Sequence, residues 1–212
     1  MCCLASPLLR LQPRSCWSPL PTSEFIREIG KGLYGWAFAH SVRVAKYDRN
    51  CDWVKSWGEK GTAPGQFRLP HSIAIDRNNN VYVGDRSNTR VQVFDTDGKF
   101  LRMFRVTVPP APGSRAVYGN TPAGERLAAA IGAPNSRCIT PGPNQVLFLG
   151  ESTFPGRIFK LSLNGKVLGV IGRSGRNLKQ FSGAQALACP SENEIYAAES
   201  SNWRVQKLIL HP

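Results

Sequence analysis

The stretch Val81-Tyr-Val-Gly-Asp-Arg-Ser-Asn-Thr-Arg-Val-Gln-Val-Phe94 decides the fold, because two later stretches repeat its pattern. They are Val146-Leu-Phe-Leu-Gly-Glu-Ser-Thr-Phe-Pro-Gly-Arg-Ile-Phe-Lys-Leu161 and Ile195-Tyr-Ala-Ala-Glu-Ser-Ser-Asn-Trp-Arg-Val-Gln-Lys-Leu208. Each reads as an apolar strand, an acid (Asp85, Glu151, Glu199), a polar turn, an arginine (Arg90, Arg157, Arg204) and a second, alternating strand. Acid and arginine flank the turn in every copy, which predicts a charge-assisted bond closing it. An exposed pair of this kind would add little stability.

Working outward, the second strand runs into a tight turn and a third strand, Phe94–Phe104 in one copy and Leu161–Ile171 in the next. Asp97-Gly98 and Asn164-Gly165 mark those turns, where glycine supplies positive φ. Ahead of each unit lies a further short strand: His71-Ser-Ile-Ala-Ile75, Asn135-Ser-Arg-Cys-Ile139 and Gln185-Ala-Leu-Ala-Cys189. Four antiparallel strands in each unit of about 40–50 residues is the plan of a propeller blade. The reading is an all-β propeller over residues 24–212, with blades near 67–105, 135–172 and 181–210 and a partial one near 38–58. In the partial copy Cys51 takes the position of the turn glycine. Residues 106–134 break the period as a Pro/Gly/Ala-rich insertion, with a short helix expected from Pro122 to Ile131 and Tyr118 as its one notable side chain.

Composition agrees. Hydrophobic residues make up 42% of the 212, and 20 glycines with 16 prolines punctuate the chain as many short strands require. No run of 18 apolar residues is present, so no helical membrane span is expected. The formal charge of +13 permits an anionic partner but is spread along the chain without a Lys/Arg run. Of the six cysteines, Cys138 and Cys189 sit in apolar runs and read as buried strand residues. Size and cysteine density argue against a disulfide framework, and no zinc spacing is present. Residues 1–23 contain no acid and four prolines, and Pro7 and Arg10 break the apolar stretch that a secretory signal needs. That segment reads as a tail or a mis-called start, and the compartment is not legible.

Gly65-Gln-Phe-Arg-Leu-Pro-His-Ser-Ile-Ala-Ile-Asp76, followed by Asn80-Val-Tyr-Val-Gly-Asp-Arg-Ser-Asn-Thr-Arg-Val-Gln-Val-Phe94, resembles the NHL repeat. More narrowly it resembles the propeller of peptidyl-α-hydroxyglycine α-amidating lyases and their bacterial relatives. The resemblance implies a six-bladed propeller with a zinc on its axis held by three histidines. Zinc, an arginine and a tyrosine would assist cleavage of a C-terminal α-hydroxyglycine to a peptide amide and glyoxylate, with calcium in a structural role. Three to four copies account for this chain, whereas six blades need about 250 residues. The expectation is a partial propeller, or one completed by other copies in an oligomer.

Register then locates a site. His40, His71, Asn135 and Gln185 occupy the same place just before successive innermost strands, where a propeller gathers side chains around its channel. Imidazoles at equivalent positions can assemble a metal site without local spacing. By the resemblance, His40 and His71 match zinc ligands and Gln185 stands where the third histidine belongs. An amide oxygen is a poor substitute for imidazole at zinc. Asn135 is channel-lining. Arg86 matches the substrate-binding arginine, whereas the tyrosine-bearing turn is missing and Ala186 stands where the lyase carries an acid for calcium. The implied protein has zinc at low occupancy, no calcium, weak or absent catalysis, and a small peptide or a protein as partner. The alternative is a non-enzymatic binding module for RNA or protein on a basic propeller face. No G-x-S-x-G elbow, Walker loop or H-E-x-x-H motif competes with these readings.

Overall fold

The computed structural model describes residues 43–48, 50, 52–114, 131–152 and 154–211. Strands β1 (Val44–Tyr47) and β2 (Trp53–Trp57) form an antiparallel pair. Strands β3 (Pro70–Ile75), β4 (Val81–Asp85), β5 (Arg90–Phe94) and β6 (Phe100–Phe104) follow as a four-stranded meander, blade A. Blade B repeats it with β7 (Pro134–Ile139), β8 (Leu147–Glu151), β9 (Ile158–Leu161) and β10 (Val167–Ile171). A short parallel pair, β11 (Arg173–Ser174) and β12 (Gln180–Phe181), leads into blade C: β13 (Ala184–Ser191), β14 (Glu194–Glu199) and β15 (Arg204–Ile209). Blade C has three strands among the described residues. The described residues are therefore all-β, and the strands of blades A, B and C pair antiparallel. His40, Cys51, Tyr118 and all but the last residue of the expected 122–131 helix lie outside the described residues.

Why the middle strands read as apolar runs becomes clear from the packing. Successive side chains of a strand point to opposite faces, and a blade between two neighbours must bury both. Val81 and Val83 of β4 join Val44, Phe67 and Phe94 under the β1–β2 pair. Tyr82, between them in sequence, faces the other way and packs with Leu147, Leu149 and Phe159 of blade B. Phe148 and Ile158 of blade B turn instead to Ile195, Ala197 and Leu208 of blade C. Every residue of β4 and β8 is consequently buried, a step beyond the half-buried strands that alternation alone suggests.

The hairpin turns behave as their sequence requires. Gly98 and Gly165 have φ of 79° and 87°. A Cβ at Gly98 would lie 2.6 Å from the Trp57 ring, so the glycine also admits the close approach of β2. The turn before each arginine also uses a left-handed residue: Thr89 (φ 50°), Gly156 (φ 66°) and Trp203 (φ 52°). Only the middle copy uses the residue suited to it.

One expectation needs correction. Cys138 and Cys189 do lie on strands, but as a disulfide joining β7 of blade B to β13 of blade C, with Cα atoms 5.9 Å apart. They are 51 residues apart in sequence, so only the stacking of successive innermost strands brings them together. A cross-link over a loop of this length restricts the unfolded chain strongly.

Two outcomes follow from this packing. Reduction, or a Cys138→Ala/Cys189→Ala pair, should lower unfolding stability by roughly 2–4 kcal/mol, read as the urea midpoint with and without reductant. Trp203→Gly should raise stability by up to about 1 kcal/mol by relieving the left-handed strain; an unchanged or lower midpoint would show that the turn tolerates tryptophan without penalty.

Candidate functional site

The acid–arginine pairs expected to close a turn do considerably more. Arg90 Nε lies 3.1 Å from Asp85 Oδ2, Arg157 Nε 2.8 Å from Glu151 Oε2, and Arg204 Nε 2.8 Å from Glu199 Oε1. All three acids are buried. Each arginine also spends its remaining donors on carbonyls of the loop that precedes its blade. Arg90 donates to Thr62, Ala63 and Gln66; Arg157 to Val108 and Pro109; Arg204 to Arg176, Asn177 and Gln180. The acids accept from backbone amides of the same leading segments: Leu69 N and Arg68 N to Asp85, Gly132 N to Glu151, and Ser182 N to Glu199. The described start and end of the 106–134 insertion are thus held as part of blade B.

This clamp fixes the residue after each acid at the inner end of its blade. Arg86 N donates to Leu69 O, Ser152 N to Ala133 O and Ser200 N to Gly183 O, the same bond three times. Arg86, Ser152 and Ser200 therefore form one register, immediately beside the register of His71, Asn135 and Gln185. The two registers are joined across blades. His71 Nδ1 lies 2.6 Å from Asn135 O, and since a carbonyl only accepts, Nδ1 donates and carries the proton. Asn135 Nδ2 donates to Ala184 O at 2.7 Å in blade C. Arg86 Nη2 donates to Ser152 Oγ at 3.0 Å, from blade A to blade B. Gln185 stays within its own blade, donating to Ser200 Oγ at 3.4 Å, and is exposed. Burial lowers the pKa of Arg86 from its ordinary value, the cost of holding a guanidinium half out of water.

Register thus brings His71, Asn135 and Arg86 to one corner, where blade A meets blade B, with Gln185 on the adjoining blade. It missed Ser152 and Ser200. The signal was available, because each directly follows its acid as Arg86 does. A catalytic zinc takes three protein ligands and an open position. Among the described residues no group of three His, Cys, Asp or Glu could hold a metal. His71 with the amide of Gln185 does not fit that requirement, so no chemical step is derived through zinc.

Residues 67–94 match the NHL repeat family. The chain carries an NHL repeat. The human NHL repeat-containing protein 3 is 48% identical over 53 residues, which cover 24% of this chain and 15% of that protein. The mouse peptidyl-glycine alpha-amidating monooxygenase is 38% identical over 66 residues, covering 28% of this chain and 7% of that protein. The mouse E3 ubiquitin-protein ligase TRIM32 is 42% identical over 65 residues, 31% of this chain and 10% of that protein. The matches therefore span a small part of each curated relative. Among solved structures, the WD40 repeats of RRP9 superpose with a TM-score of 0.53 at 12% identity, covering 79% of this chain and 44% of that one. Such a likeness speaks to the propeller architecture alone.

Proposed function

We propose that this chain is an NHL propeller of amidating-lyase descent that retains a ligand-binding corner and has lost the third imidazole of a catalytic zinc site. The observation that carries the reading is the cross-blade arrangement of His71 and Arg86. A Nδ1-to-carbonyl bond is how proteins commonly orient a histidine whose other nitrogen serves a ligand. Arg86, half-buried beside it and tethered to Ser152, is a cation poised for a carboxylate. The local identity to the amidating monooxygenase supports the descent. Peptides ending in a carboxylate are the ligand class, held by charge at Arg86, while glyoxylate release is slow or absent because Gln185 stands at the third ligand position.

The test is to assay glyoxylate release from an α-hydroxyglycine peptide, with zinc supplied and bound metal quantified. Wild-type protein should hold well under one zinc and turn over near background. Gln185→His should raise zinc occupancy and turnover by at least tenfold. Robust turnover of wild-type protein with one equivalent of zinc would refute the lost-ligand reading.

A second reading has its own observation. Trp203 and Leu178 are 92% and 81% exposed, and the turn holding Trp203 is tied to the loop holding Leu178 through Asn202, Arg204 and the carbonyls of Gly175 and Asn177. Arg173 and Lys179 are exposed on the same loop. Basic side chains around an exposed aromatic suit single-stranded RNA. On this reading the protein shifts an RNA of about 20 nucleotides, the shift weakens steeply with salt, and Trp203→Ala weakens it at least threefold. An absent or salt-independent shift dismisses it.

A further inference from the structure

Arg137 is an almost fully buried arginine that no acid is shown to pair. It lies on β7 of blade B and is 5% exposed. At the same register the neighbouring innermost strands carry Ile73 and Leu187, so an apolar residue would ordinarily fill this place. Burial brings its pKa down to about 9, which still leaves a cation at neutral pH. Nη1 donates to Ser72 O at 2.7 Å and Tyr82 O at 3.0 Å, both in blade A. Nε and Nη2 are buried and have no partner. A buried charge with unpartnered donors is far costlier than a half-satisfied neutral group, and native structures seldom keep one without a counter-ion.

The surroundings are arranged for this guanidinium. It packs over Gly84, where a Cβ would fall on Nη2. Ser72, paired with Gly84 across β3 and β4, has its hydroxyl buried without a partner. That hydroxyl can donate or accept. The molecule itself demonstrates what a free Nε–Nη2 edge takes: Arg157 uses that edge to hold Glu151 through both oxygens, at 2.8 Å and 3.0 Å. Two parallel N–H groups in one plane match the two oxygens of a carboxylate. At Arg137 the donors are present and the acid is missing.

We propose that the Nε–Nη2 edge of Arg137, between blades A and B, is a binding site for a small carboxylate. The site uses a different guanidinium from Arg86 and is independent of any lyase activity. Its occupant neutralises the buried guanidinium and bridges the two blades, so the ligand acts as an interblade staple.

The experiment is urea unfolding at constant ionic strength with formate or acetate as the probe, using chloride as the control monoanion. Wild-type protein should show a saturable rise in midpoint. At a hundredfold excess over the dissociation constant the unfolding equilibrium constant should fall about a hundredfold. Arg137→Leu, which installs the side chain present at Leu187, should fold and show no formate dependence. Should that variant fail to fold, titration of wild-type protein with formate, followed by the Nε–H resonance of Arg137, gives the same answer. A saturable shift supports the site and an unmoved resonance overturns it. No rise in wild-type midpoint, or an equal rise in Arg137→Leu, overturns the proposal. An equal response to chloride overturns the carboxylate assignment.

Discussion

A carboxylate buried at the end of the second strand of a blade is tolerable only with enough donors around it, and the arginine across the turn is the largest of them. Removing one partner of such a pair leaves an uncompensated buried charge, at a cost of about 3–5 kcal/mol. Asp85, Glu151 and Glu199 meet the demand with the arginine and with backbone amides of the loop leading into the blade. The arginines, in turn, gather carbonyls that would otherwise lie unsatisfied in those loops. One ion pair therefore closes a hairpin, docks a loop and sets where the next strand begins. Because the middle strands of blades A and B bury both faces, an error in that starting point would turn apolar side chains out of the clusters between blades.

Position follows from this constraint. The residue after each acid and the residue at the start of each innermost strand are fixed relative to one another, three times over. Side chains placed at those positions meet their counterparts across blade boundaries, as Arg86 meets Ser152 and His71 meets Asn135. The scaffold is indifferent to which side chains they are. A repeat of this kind can keep its architecture while His, Asn and Gln exchange at equivalent places, and fold and activity can part company. The disulfide between Cys138 and Cys189 secures the boundary between blades B and C by covalent means.

Much of this was legible in the sequence, and the gaps have physical causes. The strand pairs, the hairpin glycines and the acid–arginine pairing are local patterns, each contained within about 15 residues. What Arg90, Arg157 and Arg204 reach beyond their acids is not local, since Arg157 bonds carbonyls 48 and 49 residues earlier. The pairing of Cys138 with Cys189 was invisible for the same reason: it exists only once neighbouring innermost strands stand side by side. Arg137 escaped because a single arginine in a short strand looks like an outward-facing residue until both faces of the blade are known to be covered. The site residues came from register, which survives substitution, and what register cannot convey is how each side chain is hydrogen-bonded.

The most direct measurement is a double-mutant cycle on Glu151 and Arg157, read together with amide exchange at Gly132. A clamp of the kind described predicts a coupling of at least about 2 kcal/mol and loss of Gly132 protection in either single variant. A coupling near that of an exposed pair, below about 0.5 kcal/mol, with Gly132 still protected, would contradict it.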